Sequence, residues 1–208
     1  MIKHIYLIRH GETVFNSEGK IQGGGLDSPL TENGVNQAKL LSEYLKLNSF
    51  EVDLIFSSPI ERALQTARIV TSHLGKEIHL DPSLKEINCG EYEGRLIESI
   101  EKEKLRKLRI DPFEKYPSGE CLDDVKRRAE TFIKKLKDRK EESVLIFSHG
   151  NFLRAFASAA TGSSAGLAMR IYLENTGFSY LFKSGDFFRI FLWNSTSHIS
   201  PLPRKLQI

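Results

Sequence analysis

The sequence predicts an α/β fold: a three-layer sandwich with a mostly parallel central sheet and helices on both faces. Three observations lead there. Two short apolar runs, Ile5-Tyr6-Leu7-Ile8 and Val144-Leu145-Ile146-Phe147, have the continuity of strands buried on both faces. Each runs directly into a His-Gly pair, in Arg9-His10-Gly11 and in Ser148-His149-Gly150. Elsewhere, stretches with apolar residues at helical spacing alternate with further short apolar runs, the order that βαβ crossovers impose. In such sheets the ligand crevice lies beyond the carboxyl ends of the strands, where both histidines fall.

The elements follow in order. After the first strand comes a Gly-rich loop, 19–27, with Gly23-Gly24-Gly25 expected as a flexible turn at a site mouth. Thr31 reads as an N-cap, and Val35, Ala38, Leu41 and Leu45 carry a helix to about Leu47. A second strand spans 53–57. Ser58-Pro59-Ile60-Glu61 reads as a capping box with Pro at the first helical position. Ala63, Leu64, Ala67 and Val70 form that helix's buried stripe, Gly75 stops it, and 77–80 is an edge strand.

Residues 84–118 are polar, irregular and bracketed by prolines, and are expected to form a lid or insertion on a single domain spanning 1–208. Leu122, Val125, Ala129, Phe132, Ile133 and Leu136 mark the next helix, and a further helix follows His149. Two apolar runs close the chain, the second of them, Phe187 to Trp193, expected as a core strand. The last ten residues carry two prolines and read as loosely attached.

Composition narrows the functional classes. The 208 residues hold 30 Lys and Arg against 27 Asp and Glu, a net charge of +3, which argues weakly for any polyanionic partner. No module for nucleic acid is recognised, and no stretch approaches the length of a membrane span. Cys89 and Cys121 lack metal-ligand spacing and are too few for a disulfide framework. With no signal-peptide pattern at the N-terminus, the expected setting is the cytoplasm. A homodimer stays open, because exposed strand edges cannot be identified from the sequence.

The residues at the strand ends suit phosphoryl transfer. That chemistry needs neutralisation of the phosphoryl oxygens, an in-line nucleophile and an acid for the leaving oxygen. Arg9 adjoins His10, and Arg62 falls in the first turn of a helix whose positive end favours anions. A planar guanidinium bonds two phosphate oxygens at once. A neutral imidazole can attack phosphorus, and a second, cationic imidazole can stabilise the developing charge. Gly11 and Gly150 are expected to let backbone approach an oxyanion.

Rival readings are weaker. His10, His149 and Glu86 have the makings of a two-His-one-carboxylate metal triad, but Arg9 and Arg62 would repel the cation, so no metal is expected. The triple glycine lacks the Gly-Lys-Ser/Thr of a phosphate loop. Lys102, Lys104, Arg106, Lys107 and Arg109 read first as a solvated helix face, and second as a lid surface greeting an anion. His4, His73 and His79 are given no catalytic role. Cys89 reads as inert packing near the pocket, and His198 as either loose tail or a residue folded back over the site.

Four ordered motifs resemble the histidine phosphatase superfamily, in particular its phosphoglycerate mutase-like branch. They are Arg9-His10-Gly11-Glu12-Thr13 with Asn16, Ser57-Ser58-Pro59 with Arg62, Leu84-Lys85-Glu86-Ile87 with Gly90 and Gly94, and Ser148-His149-Gly150. The tail segment Asn194-Ser195-Thr196-Ser197-His198 is similar as well. The resemblance implies that His10 is the nucleophile and is transiently phosphorylated. It implies that Arg9, Arg62 and His149 hold the phosphoryl group, Asn16 lies in the phosphate pocket, and Glu86 is the general acid and base. Gln22, Gly23, Gly150 and Asn151 match positions that contact substrate.

The implied activity is hydrolysis of a small phosphorylated metabolite, without metal or other cofactor. The alternative is a phosphoglycerate mutase, whose lid would have to exclude water and hold a second anionic group. Mutases of this family carry a longer insertion between the acid and the second histidine; here Glu86 and His149 are only 63 positions apart. A non-catalytic scaffold is the remaining alternative, although none of the catalytic residues is missing.

Overall fold

In a computed structural model that describes residues 1–200, six strands form one sheet. They are β1 (His4–Arg9), β2 (Leu54–Ser57), β3 (Ile78–Leu80), β4 (Ser143–Ser148), β5 (Phe178–Ser184) and β6 (Phe187–Ser195), in the spatial order β3-β2-β4-β1-β5-β6. The first four are parallel, and β5 and β6 join antiparallel. Most of the loosely attached tail expected from the two prolines, residues 201–208, lies outside the described residues.

The helices are α1 (Val14–Ser17), α2 (Glu32–Leu47), α3 (Glu61–Val70), α4 (Lys102–Ile110), α5 (Leu122–Lys137) and α6 (Gly150–Ala160). Ala38, Leu41, Leu45, Ala67 and Val70 of α2 and α3 pack on one face of the sheet against Ile8, Ile55, Leu145 and Phe147. On the other face, Val125, Ala129 and Phe132 of α5 and Phe152 and Phe156 of α6 cover Ile5, Leu7, Val144 and Ile146. Alternate residues of β1 and β4 thus enter different cores, which is why those strands read as unbroken apolar runs.

Two local expectations fail. The structure gives Ser58 no capping role: α3 starts at Glu61, and its N-cap residue Ile60 makes no side-chain cap. A distant carboxylate does that work, with Glu61 N donating to Asp27 Oδ2 at 2.8 Å. Phe187 to Trp193 is also not a core strand. β6 is the sheet edge, with Phe191 73% exposed and Phe188 buried beneath it. A run of aromatics hides the period-2 alternation that would have marked an edge strand.

Candidate active site

Strand register brings the two histidines together. Arg9 of β1 lies opposite Ser148 of β4 in parallel pairing, and His10 N donates to Ser148 O at 3.0 Å. One residue further on, the rings of His10 and His149 stand 5.2 Å apart, tilted by 58°. The Gly11 carbonyl lies 2.8 Å from His10 Nδ1. A carbonyl only accepts, so Nδ1 carries the proton and the lone pair sits on Nε2. Burial first, then the charges of Arg62 and Arg9, holds the His10 imidazole well below the ordinary histidine range.

His149 is fully buried behind His10 and forms no part of the cavity lining. Its Nε2 is 2.8 Å from Ser58 Oγ, which also accepts a bond from Ile60 N at 3.3 Å. That hydroxyl is therefore spent on the histidine, which explains its absence as a helix cap. Burial, Arg62, His10 and Arg9 together hold His149 well below its ordinary value. The second imidazole is thus neutral, a hydrogen-bonding group rather than the cation expected from the sequence.

Both arginines are anchored by backbone carbonyls. Arg9 Nη1 donates to Leu173 O at 2.7 Å. Arg62, 1% exposed, donates to Leu26 O, Gly23 O and Asp27 Oδ1. Asp27 thus fastens both the start of α3 and its arginine to the Gly-rich loop. Glu93 pins the same loop from the other side, accepting from Gly25 N and Cys89 N at 3.1 Å. The triple glycine is consequently tethered, not the flexible turn expected. A Cβ on Gly23 (φ +66°) or on Gly25 would strike the Glu93 carboxylate.

Glu86 caps α6. Its carboxylate accepts from Ile87 N (2.8 Å), Asn151 N (3.1 Å) and Phe152 N (3.1 Å), which sets it at the positive end of the helix. Arg128 holds the adjoining backbone by donating to Ser83 O, Lys85 O and Glu86 O while lying over the Phe152 ring. Of the glycines after the histidines, Gly11 serves protein packing. Gly11 N donates to Thr66 Oγ1, and a Cβ on Gly11 would come 2.6 Å from Gly34 O. A Cβ on Gly150 would stand 3.5 Å from Arg9 Nε, and Gly150 does not line the cavity.

One cavity of about 690 Å³ collects Arg9, His10, Asn16, Gln22, Gly23, Arg62, Glu86 and Asn151. Among the described residues, five buried side-chain polar atoms lack a hydrogen-bond partner; three belong to lining residues, Arg9 Nε, Arg62 Nε and Gln22 Oε1, and a fourth, His149 Nδ1, lies behind His10. Buried polar atoms are paired in most proteins, so a cluster of exceptions marks a ligand position. Arg9 Nε and Arg62 Nε are cationic donors, which suits an anion, whereas Gln22 Oε1 accepts only. No group of three or more His, Cys, Asp or Glu among the described residues could hold a metal ion.

Residues 84–118 stand over the cavity, to which they contribute Ile97, Leu105, Leu108, Arg109, Glu114 and Tyr116. The basic cluster lies on α4 and divides. Lys102, Arg106 and Lys107 are exposed, Lys104 pairs with Glu114, and Arg109 lines the cavity. Cys89 also lines it, its thiol pushed up by burial. His198 is neither loose nor over the pocket. Its Nε2 meets Thr176 Oγ1 at 2.9 Å, and Thr176 N bonds Arg9 O and His10 O, so it braces the nucleophile loop from behind. Asn175, which the sequence reading missed, donates to His10 O and Asn16 Oδ1.

Fold and site define an enzyme of phosphatase type. The chain belongs to the histidine phosphatase superfamily (branch 1), whose family model matches residues 5–196. It is 32% identical over 206 residues to the "Putative phosphoserine phosphatase 2" of Hydrogenobacter thermophilus, covering 97% of this chain and all of that one. It is 36% identical over 180 residues to the "Probable phosphoglycerate mutase GpmB" of Photorhabdus laumondii, with 84% and 82% covered. Among solved structures, a phosphoserine phosphatase variant from Entamoeba histolytica in complex with phosphoserine superposes with a TM-score of 0.81. It is 29% identical, and the match covers 94% of this chain and 98% of that one. No helix among the described residues is long and apolar enough to cross a membrane.

Proposed function

We propose that the protein hydrolyses a small phosphomonoester through a phosphohistidine formed on His10, without a metal ion. One observation carries the reading: the Gly11 carbonyl fixes the proton on His10 Nδ1 and leaves the Nε2 lone pair beside two guanidinium groups whose buried Nε atoms have no protein partner. Arg9 and Arg62 neutralise the phosphoryl oxygens as Nε2 attacks phosphorus. His149, neutral and held by Ser58, backs the His10 ring from the protein side, and the side chains of Asn16 and Gln22 border the phosphoryl pocket. The P–O bond to the leaving group breaks, and Glu86 protonates that oxygen. Water then attacks the phosphohistidine, giving its proton to the Glu86 carboxylate as the P–N bond breaks.

In this reading the chain is a single domain, residues 84–118 act as its lid, and the free thiols Cys89 and Cys121 suit the cytoplasm. The short cover favours water as the acceptor over a second sugar or acid, and so hydrolysis over mutase chemistry. The test is release of phosphate from p-nitrophenyl phosphate in EDTA, with His10→Ala as control. Activity that survives EDTA and vanishes in the variant supports the proposal. Loss of activity in EDTA contradicts it. Transfer between 3- and 2-phosphoglycerate stimulated by the bisphosphate would assign the mutase, and no turnover across a phosphate-ester panel the scaffold.

A further inference from the structure

Two guanidinium groups in the cavity wall, the exposed Arg109 and the more buried Arg154, are used by none of these steps. Arg154 stands in the second turn of α6 and lines the cavity together with Asn151 and Tyr172. Its Nε donates to Gly150 O at a long 3.4 Å, and its Nη2 reaches Asn151 Oδ1. Among the described residues Nη1 has no hydrogen-bond partner, and no carboxylate forms an ion pair with the group. Burial pushes the guanidinium below its ordinary range, and Glu86 at longer distance partly offsets this. A half-buried cation without a counter-ion carries a desolvation cost that a pairing anion would offset.

Gly150 fixes where Arg154 lies relative to the phosphoryl donors. Its carbonyl accepts from Arg154 Nε, while its α-carbon faces the Arg9 guanidinium. Two guanidiniums therefore flank one residue, close enough for Arg154 to depress Arg9. Other charges on the wall are already matched: Lys20 with Glu18, Arg62 with Asp27, and Glu114 with Lys104. Arg9 and Arg154 share Glu86 as their nearest negative charge, and the exposed Arg109 adds a further cation at the cavity wall, more positive charge than one phosphoryl group consumes.

Resting on the phosphatase reading above, we propose that Arg154 is a specificity-determining residue that pairs with a carboxylate carried a short distance from the ester oxygen. The substrates are then phosphorylated hydroxy acids or amino acids, in preference to phosphate esters of uncharged alcohols. A planar guanidinium suits a carboxylate, and the half-exposed Tyr172 beside it leaves room for a small substrate body.

The experiment compares matched esters, O-phosphoserine against O-phosphoethanolamine and 3-phosphoglycerate against glycerol 3-phosphate. Arg154→Met is expected to lower kcat/KM for the carboxylated member of each pair by about 10- to 100-fold. Its effect on the partner and on p-nitrophenyl phosphate is expected to stay within about threefold, with Arg154→Lys partly restoring the preference. Equal loss on all substrates overturns the subsite while leaving the phosphatase reading intact. Calorimetric binding to the His10→Ala protein separates the two in the other direction. A carboxylate preference that Arg154→Met abolishes there supports the subsite even if turnover fails, and equal binding of both members refutes it. Thermal melting of each variant excludes misfolding as the cause.

Discussion

At the floor of the cavity, His10, Arg62 and His149 are at most 3% exposed, and a parallel strand register with one helix start sets their positions. The cover above them, residues 84–118, consists of short turns and one nine-residue helix, α4, without a single buried residue. The floor is over-determined: each functional side chain is held by at least one bond to backbone or to a neighbouring side chain. The cover is tied down by Glu93 on Gly25, by Arg128 and by backbone bonds such as Ile97 N to Gly19 O, while the Lys104–Glu114 pair joins two of its own segments. Register and burial hold His10, Arg62 and His149, whereas Glu86 enters from the first residues of the cover and is fixed there by the amides at the start of α6.

That contrast can be broken by substitution. His10→Ala at the floor should lower kcat by at least about 1,000-fold on every substrate, since a nucleophile has no substitute. Residual turnover within tenfold of the parent would contradict the assignment. Glu86→Gln should cost about 10²- to 10⁴-fold in kcat/KM on alkyl phosphates, whose leaving oxygen needs a proton, and only a few-fold on p-nitrophenyl phosphate. Equal losses on both would remove Glu86 as the acid.

The floor also predicts a pH dependence of stability. His10 and His149 are held below their ordinary value, so the unfolded chain binds protons first as the pH falls past about 6.5. Stability is complete above that pH and drains as the pH drops toward the folded values. Each histidine contributes up to about 1.4 kcal/mol per pH unit. Burial pushes His198 to about 4, which adds a third such group. Urea midpoints between pH 7 and 5.5 check this; a flat profile would mean that the buried imidazoles take up protons as readily in the folded protein as in the unfolded chain.

Changes in the cover should be milder. Leu105→Ala with Leu108→Ala removes apolar wall and is expected to raise KM about tenfold with kcat little changed. A drop in kcat instead would show that the cover orders the floor. Lys102→Glu and Lys107→Glu, both on the solvent side of α4, should change kcat/KM by about twofold or less. A larger loss would mean that these charges steer the substrate.

The same division decides what the sequence makes legible. His10, His149, Arg9, Arg62 and Glu86 stand beside buried strands and helix starts, so local pattern locates them and parallel topology brings them together. The residues that hold them are invisible to local pattern. Asp27 caps a helix 34 positions away, Glu93 reaches back to Gly25 across 68, and Asn175 supports His10 across 165. Each is a lone polar residue in a loop whose partner only the fold supplies. Ser58 shows the converse error: a motif that reads as a local cap is spent on a histidine 91 positions away. Arg154 follows Gly150 by four positions, in a Leu153-Arg154-Ala155 segment similar to that of the mutases, but nothing in its sequence neighbours marks it as unpaired.

The phosphohistidine itself offers the most direct measurement. Rapid alkaline quenching during turnover of a ³²P-labelled ester, followed by peptide mapping, should recover an acid-labile label on the peptide containing His10 and none from His10→Ala. Label on a different residue, or turnover that inverts a chiral phosphate with no adduct trapped, would contradict the account.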